Sequence, residues 1–120
     1  MPLKDLEERR KYNSYYHQTI RRDKSEYKYG DIKKSARNRS IEFHITYIEY
    51  VSTYWRQTCF YCPTTDTRGI DRIDSSKGYS LDNCVPCCSM CNQMKFDNNF
   101  NDFINHINLI AAKSGSFRID

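Results

Sequence analysis

The sequence predicts a small α+β domain. Three observations carry that reading: a first half poor in Gly and Pro, a strand–turn–strand pattern after residue 69, and paired cysteines on either side of it. At 120 residues the chain has room for one domain, given the usual range of about 100–200 residues each. Hydrophobic residues make up 38% of it, but 10 Tyr and 6 Cys are among them, which leaves few aliphatic side chains for a core. A domain so built needs a further stabilising device such as a metal, disulfides or a partner chain. No apolar run is long enough to span a membrane, and the charged opening, Met1 to Arg10, lacks the greasy stretch of a signal peptide. An intracellular, reducing compartment, cytoplasm or nucleus, is therefore expected, and there clustered cysteines are metal ligands more readily than disulfides.

The elements follow in chain order. Pro2 suits a first helical turn, and a helix running from there towards Tyr16 or Ile20 is predicted, with His17 on its surface. Residues 1–56 hold 13 Lys and Arg against 8 Asp and Glu, whereas residues 57–120 hold 6 against 7. In the basic half Arg9, Arg10, Lys11, Arg21, Arg22, Lys28, Lys33, Lys34, Arg37 and Arg39 are interleaved with tyrosines. That mixture suits phosphates, with occasional stacking on bases; a solvated helix face accounts for it equally well. Residues 1–40 are thus set apart as a basic helical arm from a second unit, residues 41–120.

Thr46-Tyr47-Ile48-Glu49 is a capping box, with Ile45 and Tyr50 at the staple positions. Ile48, Val51 and Trp55 then fall on one face of a helix that ends before Cys59. Cys59-Phe60-Tyr61-Cys62 and Cys88-Ser89-Met90-Cys91 are two CxxC pairs separated by 25 residues. Two such turns bring four thiolates to one tetrahedral zinc, a closed structural site. Cys84 and Cys87 share the same spacing, so either could replace Cys88 in the set. Cys88 with Cys91 is preferred because Val85-Pro86 reads as extended while Ser89 to Lys95 can be helical.

Between the pairs, Ile70 and Arg72-Ile73 begin a strand, Ser75-Ser76-Lys77-Gly78 turns, with Gly78 free to take a positive φ, and Asn83 to Cys87 returns. A short helix carries Cys91 to Lys95, which places Asp71 near Asn92, and the two could share a Mg²⁺ completed by substrate phosphate. A last helix begins near Asn101 or Asp102, turns Phe103, Ile107 and Ile110 inward, and stops at Ser114-Gly115.

Residues 59 to 96 resemble the HNH nuclease superfamily, also called ββα-metal or His-Me finger. The closest likeness is to its zinc-stapled Asp-Arg branch of phage and restriction-type endonucleases. The matching elements are the two CxxC pairs, Gly69-Ile70-Asp71-Arg72-Ile73-Asp74, Gly78-Tyr79, Asn83, and Asn92 to Lys95 after the last pair. The stretch Lys33 to Phe43 and the capped helix are also similar to these proteins. The resemblance implies a ββα-metal core with flanking helices and a Mg²⁺- or Mn²⁺-dependent endonuclease acting on DNA, most naturally double-stranded. It also implies Asp71, Arg72 and Asn92 as the catalytic residues, with Asp71 and Asn92 holding the magnesium.

Many members carry a His directly after the Asp as general base. Arg72 stands there instead, able to grip phosphate but not to take a proton. His44, Tyr61, Tyr79 and Asp74 are the candidate bases, alongside a metal-bound hydroxide needing none. For Asp74 a turn cap, and for His44 a place ahead of the helix cap, are the favoured roles. Lys34, Arg37, Arg39 and Lys95 are the candidate nucleic-acid contacts, although snorkelling beside the zinc site explains Lys95 as well. Asn83 is read as structural. A double-strand cut from a single site needs a homodimer or two successive events. The alternatives are a catalytically inactive zinc module that binds DNA or RNA, and a structure-selective or RNA-directed nuclease.

Overall fold

The computed structural model describes residues 6–15 and 24–117. The chain runs α1 (Leu6–Tyr15), α2 (Ser25–Asn38), α3 (Tyr47–Thr53), β1 (Gly69–Arg72), β2 (Cys84–Cys87), α4 (Ser89–Lys95) and α5 (Phe100–Ser114). Helix and sheet are therefore mixed, as the α+β reading requires. Helix α1 matches the first predicted helix; Pro2, Tyr16, His17, Ile20, Arg21 and Arg22 lie outside the described residues.

The capping box forms as its sequence dictates. Thr46 Oγ1 accepts from the Glu49 N–H at 3.2 Å, and Glu49 Oε1 accepts from the Thr46 N–H at 2.8 Å. The staple residues Ile45 and Tyr50 are both buried. The inward face of α3 differs from the expected one, since Ile48 and Val51 are exposed and Tyr50 and Tyr54 are buried instead. A tyrosine fills a deep position when its hydroxyl finds an acceptor. Here Tyr50 donates to Arg68 O at 2.7 Å and Tyr54 to Cys84 O at 3.1 Å.

The core built around these rings also contains Ala36, Ile45, Ile70, Tyr79 and Cys84, with Tyr29 and Ile32 of α2 packed against it. Ala36 belongs to α2, so the division expected at residue 40 cuts through a single packed unit. Tyr29 seals that joint: its hydroxyl donates to Ile45 O at 2.7 Å and its ring lies edge-on to Phe43 and Tyr47.

Strands β1 and β2 pair antiparallel with Asp71 opposite Val85 and Arg72 opposite Cys84. Gly78 does not take a positive φ, contrary to expectation. It is needed for close approach: a Cβ there would lie 2.7 Å from Glu42 O, where residues 42–44 bridge to Tyr79. Asn83 ties the hairpin loop as read from sequence, accepting from the Asp74 N–H and donating to Asp74 O and Gly78 O. Helix α5 starts at Phe100, one or two residues earlier than predicted, and the Phe100 N–H bonds Ile73 O. Phe103 is buried as expected, but Ile110 is 43% exposed, so only the first turns of α5 pack.

Candidate metal cluster and cleft

Four cysteines meet where the loop after α3 passes the start of α4. The sulfurs of Cys59, Cys62, Cys88 and Cys91 all lie within 4.8 Å of one another, and Cys62 and Cys88 are 3.7 Å apart. A tetrahedral zinc with bonds of about 2.3 Å sets sulfurs roughly 3.8 Å apart, so this geometry can hold a structural metal such as zinc. Local hydrogen bonds point the same way. Cys59 Sγ accepts from the Tyr61 N–H and Cys88 Sγ from the Cys91 N–H, each at 3.4 Å, contacts that hold the two sulfurs in place, while burial pushes the Cys91 thiol up. Thr64, with its hydroxyl 3.1 Å from the sulfur, holds the Cys62 thiol down to about 6.

Cys84 and Cys87 stay outside the cluster. Cys84 sits in the tyrosine core, where burial pushes its thiol up to about 11. Cys87 is fully buried and bonds Cys88 O through its thiol, which burial likewise pushes up. The choice of Cys88 with Cys91 therefore holds.

Beside the cluster lies a cleft of about 450 Å³ between α2 and the hairpin with α4. It brings Asp71, Arg72, Asn92 and Arg39 together, with Lys28 and Tyr79 on its walls. Asp71 is buried on β1, and its Oδ2 accepts from the Tyr61 hydroxyl at 2.6 Å and lies 3.3 Å from Lys95 Nζ. Lys95 Nζ also donates to Arg72 O at 2.9 Å. Lys95 is thus not a surface contact to nucleic acid, nor does it snorkel: with 1% of its side chain exposed, its ammonium faces inward to Asp71. Phe100 and Phe103 of α5 pack on the Tyr61 ring, so α5 supports the group that orients Asp71. Burial and the Asp71 carboxylate push the Tyr61 phenol above its ordinary range, which keeps it a donor and removes it as a base.

Arg72 Nη1 donates to Ser75 O and Lys77 O, both at 2.8 Å, and its guanidinium lies 5.3 Å over the Tyr79 ring. The Tyr79 hydroxyl accepts from Arg39 at 3.0 Å. The other two candidate bases lie elsewhere. His44 pairs with Glu42 on the surface, and Asp74 accepts from the Ser76 hydroxyl and N–H as a turn cap, which lowers its pKa. Of the four, Tyr79 alone lines the cleft.

Lys34 and Arg37 do not share the cleft; with Lys33 they line a separate groove on another face of α2. Lys28, Ile32, Ser35 and Arg39 form the cleft-facing stripe, at helical spacing. Sequence reasoning ranked Lys28 with every other cation, because only knowing which face of α2 is buried singles it out.

Asp71 and Asn92 offer a hard dication oxygen donors in one cleft, which fits the implied magnesium.

Among the described residues no helix is long and apolar enough to cross a membrane. No family profile matches the chain, and no solved structure matches it. The chain is similar to an uncharacterized protein of Acanthamoeba polyphaga mimivirus, 38% identical over 96 residues. That match takes in 78% of this chain and 18% of the viral protein, so the chain corresponds to a small part of the relative's length.

Proposed function

We propose that the protein is an HNH-type endonuclease that hydrolyses phosphodiester bonds of DNA with a divalent metal, Mg²⁺ or Mn²⁺. The observation that carries this reading is the single cleft shared by Asp71, Arg72, Asn92 and Arg39, set against a four-cysteine cluster suited to structural zinc. Asp71 and Asn92 would hold the catalytic ion, which supplies Lewis-acid stabilisation of the charge developing on the phosphate. Tyr61 and Lys95 fix the Asp71 carboxylate by taking its Oδ2. Arg72, tied to two loop carbonyls and stacked on Tyr79, presents a pre-oriented guanidinium to a phosphate oxygen. Arg39, exposed at the rim, adds a second cation. One site cuts one strand, and a homodimer would supply the second cut.

A zinc-containing DNA- or RNA-binding module is the second reading. It is favoured by one observation: among the described residues, no His lines the cleft. Supercoiled plasmid incubated with Mg²⁺ or Mn²⁺ decides between them. Nicked or linear product from wild type, absent with Asp71→Ala, is expected. A plasmid shifted on a gel by both proteins and cut by neither establishes the binding module.

A further inference from the structure

Phe96 is placed at a cost on two counts. It follows α4 directly with φ 50° and ψ −125°, a left-handed conformation that glycine adopts freely and a bulky aromatic adopts only under strain. The residue is also 75% exposed, so hydrophobic burial does not repay the strain. Phe43 and Phe103, by contrast, lie against tyrosine rings, and none of the described ring pairs includes Phe96. Phe96 lines the same cleft as Asp71 and Asn92, one residue beyond the buried Lys95. Lys28, Arg39 and Arg72 line that cleft too, interspersed with Asp31 and Asp97, so cations for a sugar–phosphate backbone sit alongside a π-face that no described ring pair covers.

We propose that Phe96 is a stacking platform for a nucleobase of the strand held in the cleft, so that the substrate presents an unstacked or unpaired base beside the scissile phosphate. Strained backbone and exposed aromatic then have one purpose: the left-handed turn at the end of α4 holds the ring out where a base can lie on it. This inference rests on the nuclease or nucleic-acid reading and adds to it a substrate class, a locally single-stranded segment. Stacking is tolerant of base identity, so Phe96 selects for exposure of a base and not for its sequence.

The test is binding of a short single-stranded DNA, followed by fluorescence anisotropy with zinc-loaded protein and no magnesium, over a range of salt. Phe96→Gly relieves the backbone strain, so this variant is expected to fold and to melt no lower than wild type. Its affinity is expected to fall by about 5- to 150-fold, the range for losing one stacked base, with the slope against salt unchanged. Phe96→Tyr restores binding to within about threefold, because a phenol ring stacks as well. Arg39→Ala is the electrostatic control, and it lowers the salt slope by about 0.7, the single-strand value for one phosphate contact. Equal binding by wild type and Phe96→Gly, with plasmid still cut by wild type, overturns the stacking platform and leaves the nuclease standing. A wild type that binds no nucleic acid overturns both.

Discussion

Lys95 shows what a residue's charge means once its surroundings are known. From the sequence it is a cation after the last cysteine, and a phosphate contact is a reasonable reading. In the structure its ammonium is enclosed, 3.3 Å from Asp71 Oδ2 and bonded to Arg72 O. Removing one partner of a buried ion pair leaves the other charge uncompensated, at a cost of about 3–5 kcal/mol. Lys95→Met is therefore expected to destabilise by that amount, and Asp71→Asn combined with Lys95→Met by clearly less than the sum of the single changes. Urea denaturation of the four proteins measures the coupling; additive costs would mean the pair is not an interacting unit. The Asp71 position was legible because a motif carries it. The Tyr61–Asp71–Lys95 trio was not, because its members lie 10 and 24 residues from Asp71 in sequence and only the fold joins them.

Elements were legible to the extent that their signals are local. The α3 capping box closes within four residues, so it reads directly from Thr46 and Glu49. Likewise Asn83, held to be structural, does bind the turn from both sides. The face of α3 was misread because a hydrophobicity scale favours Ile48 and Val51, while tyrosines with carbonyl acceptors won the interior. Gly78 was read correctly as special but for the wrong reason. Its φ is ordinary, and what excludes a side chain is the backbone of residue 42, with Glu42 O 2.7 Å and Glu42 C 3.2 Å from where a Cβ would stand. Backbone cannot swing aside as a flexible side chain can, so Gly78→Ala is expected to cost about 1–3 kcal/mol by overpacking. Loss of the Tyr79–Glu42 and His44–Tyr79 backbone bonds should accompany it, read as faster amide exchange at Tyr79 and His44. A Gly78→Ala variant as stable as wild type would show that the two segments separate without cost.

At the scale of the molecule the two buried clusters are unequal in kind, yet one hairpin serves both. Ile70 and Cys84 belong to the tyrosine core, while Cys87, at the far end of β2, packs among the metal-site cysteines. The Phe60 N–H bonds Pro86 O, so the first CxxC turn is also tied to β2. Structural zinc contributes roughly 10–16 kcal/mol to folding in small zinc domains at neutral pH. The net stability of a whole domain is only about 5–15 kcal/mol. Loss of a zinc held by this cluster would therefore remove as much free energy as the fold has to spare, and the shared hairpin would carry the loss into the tyrosine core. The fold is expected to collapse on chelation, with α-helical circular dichroism falling and the Tyr50 and Tyr54 environment lost in one transition. Cys91→Ser is expected to do the same and to purify with less than one zinc per chain. Cys84→Ala, which empties a core position without touching the ligand set, should keep one zinc and lose only about 1–2 kcal/mol. Metal analysis and thermal melts of the three proteins separate the two roles. A Cys91→Ser protein that melts like wild type without zinc would show that the tyrosine core alone sustains the fold.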